Sequence, residues 1–149
     1  MSAKLPLHVL IVEDQLEMRK IVLTILQTMD FERTTEARDG REALQLLKRA
    51  ADPADNTIPP VDLIIADWMM PRVSGVKLLQ TIRQDPNIGP MPFMMLTSRN
   101  DSEAVSEAIQ NGVDDYIVKP FTISLFTSKL ELLLKKYFPE HSSAAKSIP

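Results

Sequence analysis

VDLIIADWMMPRVSG, residues 61–75, begins as an apolar, β-branched run and ends in residues typical of a loop. Such a run is typical of a strand that is buried on both faces of a parallel sheet. Asp67 stands where this strand should end, and the pairs Met70-Pro71 and Ser74-Gly75 predict a loop that leads into a helix. Open α/β sheets bind ligands at the carboxyl ends of their parallel strands, so Asp67 is a candidate functional acid.

The rest of the chain repeats this alternation of a short apolar run and a helical pattern. The predicted strands are Leu7–Val12, Phe31–Ala37, the run that ends at Asp67, Phe93–Leu96 and Asp115–Val118. The predicted helices follow Asp14, follow Asp39-Gly40, and span Val76–Arg83, Ser102–Gln110 and Ile123–Tyr137. Five β–α units predict a doubly wound α/β fold of the flavodoxin-like (βα)5 type. Its five-stranded parallel sheet is expected in the order 2-1-3-4-5.

A single domain is expected over residues 7–138, because 149 residues suffice for one hydrophobic core. Residues 1–6 are expected to form an N-terminal tail, and residues 139–149 a flexible C-terminal tail. Ala51–Pro60 contains three prolines and two aspartates, which predict an exposed loop inside the domain.

The composition excludes several classes of function. A formal net charge of −3 gives no support to direct nucleic-acid binding, which is usually basic. The absence of cysteine excludes a disulfide framework, a thiol nucleophile and a cysteine-ligated zinc site. No apolar run reaches the roughly 18 residues of a membrane span. Acidic residues follow the first apolar run too soon for a signal peptide, so a cytoplasmic location without membrane insertion is expected.

Chemically active side chains stand at the carboxyl end of four of the five predicted strands. They are Glu13 and Asp14 after the first strand, Asp67 after the third, Thr97 and Ser98 after the fourth, and Lys119 after the fifth. These ends share one edge of a parallel sheet, so the side chains are expected to converge. Clustered carboxylates are typical Mg²⁺ ligands. A metal ion, a lysine and a hydroxyl around one central carboxylate are the equipment of phosphoryl transfer.

Structural roles compete with this chemistry at several positions. Asp67 by itself could be a turn residue at the end of a strand. Asp14 and Glu17 form a capping-box pattern, so Asp14 is expected to cap the first helix as well as to meet a metal. The Thr97-Ser98 pair could cap the helix that follows it, and Trp68 is expected to be a partly exposed packing residue.

The chain resembles the receiver domain of bacterial response regulators over about residues 7–137, and most closely the stand-alone receivers of chemotaxis. The resemblance rests on separated motifs in the right order, each weak alone and specific together. They are Val12-Glu13-Asp14, Asp67-Trp68-Met69-Met70-Pro71 with Ser74-Gly75, Leu96-Thr97-Ser98, and Tyr116-Ile117-Val118-Lys119-Pro120-Phe121.

The resemblance implies a reactive centre around Asp67. It implies that Asp67 is the phosphorylated nucleophile and that Lys119 is the cation beside it. Glu13, Asp14, Asp67 and the backbone carbonyl of Met69 are implied to hold Mg²⁺ or Mn²⁺.

The resemblance also implies a switch. Thr97 is implied to move toward the phosphoryl group, and Tyr116 to swing inward when it does; a packed aromatic with no switching role is the alternative for Tyr116. The Lys119–Pro120 bond matches one that is cis in the family, where it aims the lysine into the site.

Met69 and Arg99 depart from the chemotaxis receivers. Met69 replaces a polar residue, and Arg99 stands where those proteins have an acid two residues after the threonine. The family uses these positions to tune access of water to the acyl phosphate, so both residues are expected to tune dephosphorylation kinetics.

The resulting expectation is a single-domain phospho-acceptor switch that is not an enzyme in its own right. A sensor histidine kinase is expected to phosphorylate this domain. The surface formed by its fourth helix, fifth strand and fifth helix is expected to bind a downstream protein. The expected output is chemotactic control of a flagellar motor. A phosphatase is a further expected partner. A phosphorelay receiver, or the receiver of a longer regulator, is the alternative. A phosphatase that works through an aspartyl phosphate would need a second acid at the position of Met69. In an FMN-binding module, Glu13 and Asp14 would repel the phosphate of FMN.

Overall fold

Strands and helices alternate along the chain in the order that the sequence predicts. The computed structural model describes residues 5–70, 72–88, 90–98 and 102–141. Its strands are β1 (Leu5–Val12), β2 (Phe31–Ala37), β3 (Leu63–Asp67), β4 (Phe93–Thr97) and β5 (Asp115–Val118). Its helices are α1 (Leu16–Thr28), α2 (Gly40–Ala51), α3 (Gly75–Gln84), α4 (Ser102–Gln110) and α5 (Ile123–Tyr137), and a 3₁₀ turn follows at Pro139–His141. In this described part no helix is long and apolar enough to cross a membrane.

The strands form one parallel sheet in the order β2-β1-β3-β4-β5, which confirms the predicted topology. β1 pairs with β2 on one side and with β3 on the other, and β4 and β5 extend the sheet beyond β3. Parallel strands joined by helices need right-handed crossovers, which place helices on both faces of the sheet. All strand ends that carry candidate site residues therefore lie on one edge.

Two hydrophobic cores cover the two faces of the sheet. Successive side chains of a strand point to opposite faces, so Leu10 and Val12 pack in one core while Val9 and Ile11 pack in the other. The first core receives buried residues from α2, α3 and α4, and the second from α1 and α5. Because the central strands are buried on both sides, they read in sequence as continuous apolar runs.

β1 begins at Leu5, two residues before the predicted start, so the expected N-terminal tail is wrong for Leu5 and Pro6. Leu5 pairs with Phe31, its N–H donates to the Asp30 carbonyl at 2.7 Å, and its side chain is buried. The register shifts between Leu5 and His8, and Pro6, which has no N–H to donate, lies in this irregularity. Residues 1–4 lie outside the described residues.

The other boundary corrections are at the start of α1 and at the C-terminus. α1 begins at Leu16 with Gln15 as its N-cap residue and no side-chain cap, so the prediction that Asp14 caps this helix is wrong. The expected C-terminal tail begins with the ordered turn Pro139–His141, and residues 142–149 lie outside the described residues.

The proline-rich segment after α2 is mostly exposed, as predicted, but its end is fastened to the sheet. His8 in β1 is buried, and its Nδ1 lies 3.1 Å from the Pro59 carbonyl oxygen and 3.2 Å from that of Pro60. Its Nε2 lies 2.6 Å from Thr35 Oγ1. The Asp62 carboxylate accepts the His8 backbone N–H at 2.8 Å. These contacts explain why a histidine occupies a strand core position: both ring nitrogens have partners.

Candidate functional site

Three carboxylates converge at the carboxyl edge of the sheet. Glu13 and Asp14 follow β1, and Asp67 is the last residue of the neighbouring strand β3. One carboxylate oxygen of each residue lies within 4.8 Å of those of the other two. Glu13 and Asp67 are buried and Asp14 is exposed, so the cluster is open to solvent on the Asp14 side.

Lys119 supplies the positive charge of this cluster. Its Nζ lies 3.1 Å from Asp67 Oδ1 and 3.2 Å from Glu13 Oε1, so it bridges β1 and β3 from the end of β5. Its own backbone N–H donates to the Thr97 carbonyl at 2.7 Å. The peptide bond between Lys119 and Pro120 is cis, as the resemblance implied.

Glu13 is the most deeply buried acid of the three. Its side chain has no exposed surface, and its Oε2 is a buried oxygen with no hydrogen-bond partner among the residues that the structure describes. Burial, reinforced by the nearby Asp67 carboxylate, raises the pKa of Glu13 to about 8, although the Lys119 ammonium group opposes this rise. A buried carboxylate oxygen with nothing to bind is a group for which a cation would be the natural partner.

The donor set fits a hard divalent cation. Three carboxylates supply oxygen ligands, one Glu13 oxygen has no hydrogen-bond partner among the described residues, and Lys119 is the one ammonium group that pairs with the cluster there. Mg²⁺ and Mn²⁺ prefer such oxygen ligands, whereas the nitrogen and sulfur ligands that zinc prefers are not part of this cluster.

Comparisons with known proteins identify the family. A sequence profile described as response regulator receiver domain matches residues 9–131. This chain is a response regulator receiver domain. It is similar to chemotaxis protein CheY-3 of Vibrio cholerae, with 37% identity over 130 residues that cover 87% of this chain and 93% of that protein. Chemotaxis protein CheY of Pseudomonas aeruginosa is 33% identical over 87% of this chain and 98% of that protein.

A solved structure agrees with this assignment. The structure of the chemotaxis response regulator CheY4 of Vibrio cholerae superposes with a TM-score of 0.75 and 29% identity, and covers 87% of this chain and 99% of that one. The resemblance read from separated motifs and the predicted (βα)5 fold are therefore both confirmed.

In this receiver domain the loop after Asp67 is shaped by Gly75. The Gly75 N–H donates to the Trp68 carbonyl at 2.9 Å, and the Ser74 hydroxyl caps α3 by accepting the Lys77 N–H at 3.2 Å. A Cβ added at Gly75 would lie 2.2 Å from the Asp67 carbonyl oxygen and 2.8 Å from Met95 Sδ. Only glycine lets the start of α3 approach the Asp67 peptide so closely.

Replacing Gly75 by alanine is expected to lower the free energy of unfolding by about 2–3 kcal/mol, because the backbone of Asp67 must move to accommodate the methyl group. The same movement is expected to weaken Mg²⁺ binding. Urea unfolding checks the first effect, and Mg²⁺ titration followed by the fluorescence of Trp68, the single tryptophan, checks the second.

Gly112→Ala is the matched control for this substitution. Gly112 has a φ of +89° but lies away from the acidic cluster, so alanine there should destabilise the fold without changing Mg²⁺ affinity. A Gly75→Ala protein with wild-type stability and wild-type Mg²⁺ affinity would contradict the tight packing described here.

Thr97 and Tyr116 occupy neighbouring strands of the receiver domain. Thr97 ends β4 with its side chain buried and pairs with Val118, while Tyr116 pairs with Met95 and packs, partly buried, on the core that α2, α3 and α4 cover. Both side chains thus lie on the β4–β5 side of Asp67. Met69 is exposed on the β3–α3 loop, and Arg99 lies outside the described residues.

Two features near the site escaped the sequence interpretation. Arg19 in α1 is largely buried; its Nη1 donates to the Glu13 carbonyl at 2.9 Å and its Nε to Glu36 Oε1 at 2.9 Å, which fixes the backbone beside the cluster. The only signal for this role was an arginine less than two turns after the acids. Trp68 is 6% exposed, so the expectation of a partly exposed residue is wrong: it packs in the core that α2, α3 and α4 cover.

Proposed function

We propose that this receiver domain is a phospho-acceptor switch that uses Asp67 as its nucleophile. The observation that supports this most is the position of Asp67, buried at the carboxyl edge with Lys119 Nζ at 3.1 Å and two further carboxylates beside it. The phosphoryl donor is a phosphohistidine on a sensor histidine kinase. An Asp67 oxygen attacks phosphorus, the P–N bond breaks, and the imidazole leaves with the electron pair and takes up a proton.

Each residue of the cluster has a part in this transfer. Glu13, Asp14, Asp67 and the backbone carbonyl of Met69 hold Mg²⁺, which when bound neutralises charge on the phosphoryl oxygens. Lys119 pairs with the free carboxylate before transfer. Once Asp67 is phosphorylated its carboxylate charge is lost, and the ammonium group of Lys119 is then available to a phosphoryl oxygen.

The acyl phosphate is proposed to bias a two-state surface. Thr97 moves its hydroxyl toward the phosphoryl group, Tyr116 follows, and the face formed by α4, β5 and α5 changes its affinity for a downstream protein. The similarity to CheY proteins supports chemotaxis as the pathway and a location in the cytoplasm. Met69 and Arg99, which depart from the chemotaxis receivers, tune the lifetime of the acyl phosphate, alone or with a phosphatase.

The expected result of incubation with acetyl phosphate and Mg²⁺ is one phosphoryl group on Asp67. Intact-mass measurement detects the adduct, and borohydride reduction before peptide mapping locates it. Asp67→Asn should abolish the adduct because the amide is a poor nucleophile, and chelation of Mg²⁺ should abolish it in the wild-type protein. Asp52→Asn, in the exposed loop after α2, is the matched control and should leave it unchanged.

Retention of the adduct in Asp67→Asn at wild-type yield would contradict the assignment of the nucleophile. Repeated turnover of small phosphate esters by the wild-type protein would contradict the proposal that the domain is a switch and not an enzyme.

A further inference from the structure

Tyr116 is in contact with a lysine from α5. The Nζ atom of Lys129 lies 5.0 Å from the centre of the Tyr116 ring, within the roughly 6 Å at which a cation is attracted by an aromatic face. The same Nζ lies 3.1 Å from Asp115 Oδ1. Lys129 therefore joins two successive residues of β5 to α5.

Asp115 fixes the position of this lysine relative to the ring. Its Oδ1 accepts the Tyr116 backbone N–H at 2.8 Å and also binds the Lys129 ammonium group. The side chains of Asp115 and Lys129 are each 27% exposed, so the ion pair is shielded from part of the solvent. The Asp115 carboxylate thus binds both the Tyr116 backbone N–H and the Lys129 ammonium group, and this places the ammonium group over the Tyr116 ring.

The contact belongs to the resting arrangement of the site. Lys119 Nζ lies 3.1 Å from the Asp67 carboxylate itself, the pairing expected of the site before phosphoryl transfer. The ring orientation seen together with that pair is the one that Lys129 stabilises. A ring that moves away from Lys129 would lose this contact, so the cation–π attraction favours the orientation described here.

We propose that Lys129 is a positioning residue that holds the Tyr116 ring in its resting orientation through the Asp115 carboxylate, and thereby sets the equilibrium of the switch. This inference rests on the proposed function only in taking Tyr116 as a switch residue. The contact itself can be tested in the unmodified protein, without any phosphoryl transfer.

The chain offers a matched pair of sites for the experiment because it has only two tyrosines. Tyr137 also carries a lysine over its ring, with Lys136 Nζ 5.3 Å from the ring centre. Protein labelled with 3-fluorotyrosine should give two ¹⁹F resonances, assigned with Tyr137→Phe. In the metal-free state Lys129→Met should move the Tyr116 resonance toward its position in the beryllofluoride-activated protein, and Lys136→Met should move only the Tyr137 resonance.

The equilibrium is measured by titration with beryllofluoride at saturating Mg²⁺. Lys129→Met and Asp115→Asn should each reach half-activation at a concentration about two- to fivefold lower than the wild type, as expected for loss of one partly exposed cation–π contact. Lys129→Arg, which keeps the cation, should restore the wild-type midpoint, and Lys136→Met should not change it.

An unmoved Tyr116 resonance in Lys129→Met would overturn the contact. A moved resonance with an unchanged midpoint, or a midpoint raised by the substitution, would overturn the role in the switch. If the Tyr116 resonance of the wild-type protein does not respond to beryllofluoride, the proposed function is wrong, and so is the switch role of Lys129. The titration of the wild-type protein alone tests this.

Discussion

Glu13→Gln is expected to weaken Mg²⁺ binding by at least about a hundredfold and, in the metal-free protein at pH 8, to raise the free energy of unfolding by about 2 kcal/mol. Both effects have one cause. Glu13 is fully buried beside Asp67, and in the described part of the chain one of its oxygens has no hydrogen-bond partner. The buried negative charge that would bind a cation lowers the free energy of unfolding when no cation is bound. A neutral amide of the same shape removes this desolvation penalty.

The gain in stability should depend on pH with a definite sign. Burial raises the pKa of Glu13 from 4.5 to about 8 in the folded protein. Between these values the folded state holds a proton that the unfolded state has lost, so wild-type stability falls as the pH rises through this range. The glutamine variant lacks this titration. Its advantage should therefore be small near pH 4.5 and grow up to about pH 8.

Urea unfolding at several pH values with a chelator present measures the stability, and Trp68 fluorescence follows Mg²⁺ binding. Glu17→Gln is the matched control: Glu17 is an exposed acid on the first turn of α1 and should change stability by less than about 0.5 kcal/mol. Saturating Mg²⁺ should remove the advantage of the Glu13 variant, because the ion stabilises only the protein that binds it well. If the wild type and Glu13→Gln have equal free energies of unfolding without metal at pH 8, burial of the Glu13 carboxylate does not destabilise the fold.

The sequence predicts the acidic centre because the topology leaves few alternatives. Asp67 and Glu13 each end an apolar run, and parallel strands bring such ends to one edge whatever the details of the loops. The start of β1 was harder to predict, since Pro6 is normally read as a strand breaker and only the pairing of Leu5 with Phe31 reveals a strand around it.

Competing local signals explain the errors at Asp14 and Trp68. The capping-box pattern predicted Asp14 as the N-cap of α1, but α1 begins at Leu16, and Asp14 lies in the acidic cluster instead. Trp68 follows a site residue in a loop, where exposure is the usual expectation, yet it packs in the core.

The contacts that Arg19 and Lys129 make near the site were the hardest to predict from the sequence. Arg19 reaches the Glu13 carbonyl and Lys129 reaches Tyr116 only because α1 and α5 pack at particular angles and depths against the sheet. Periodicity predicts which face of a helix is buried, but it does not predict which polar atom a long side chain at the edge of that face will reach.

Asp114→Ala is expected to lower the free energy of unfolding by about 3 kcal/mol while leaving Mg²⁺ affinity unchanged. The Asp114 carboxylate, in a side chain that is 9% exposed, accepts hydrogen bonds from three segments. Arg83 Nη2 at the end of α3 donates at 3.1 Å, the Phe93 N–H at the start of β4 donates at 2.7 Å, and the Tyr137 hydroxyl at the end of α5 donates to the other oxygen.

All three segments meet at the amino edge of the sheet, opposite the acidic cluster. The substitution should therefore lower the free energy of unfolding without changing Mg²⁺ affinity. Tyr137→Phe removes one of the three hydrogen bonds and should cost about 1 kcal/mol alone but nothing further in the Asp114→Ala background. Asp114→Asn, which keeps an acceptor for the Phe93 N–H, should fall between the wild type and Asp114→Ala. If Asp114→Ala and the wild type unfold at the same urea concentration, the junction of α3, β4 and α5 must be held by the packing of the core residues alone. Arg83 also donates to the carbonyls of Met91 and Gly112. Loss of the carboxylate therefore leaves a partly exposed cation that still restrains the loop before β5, so the fold should weaken without losing its topology.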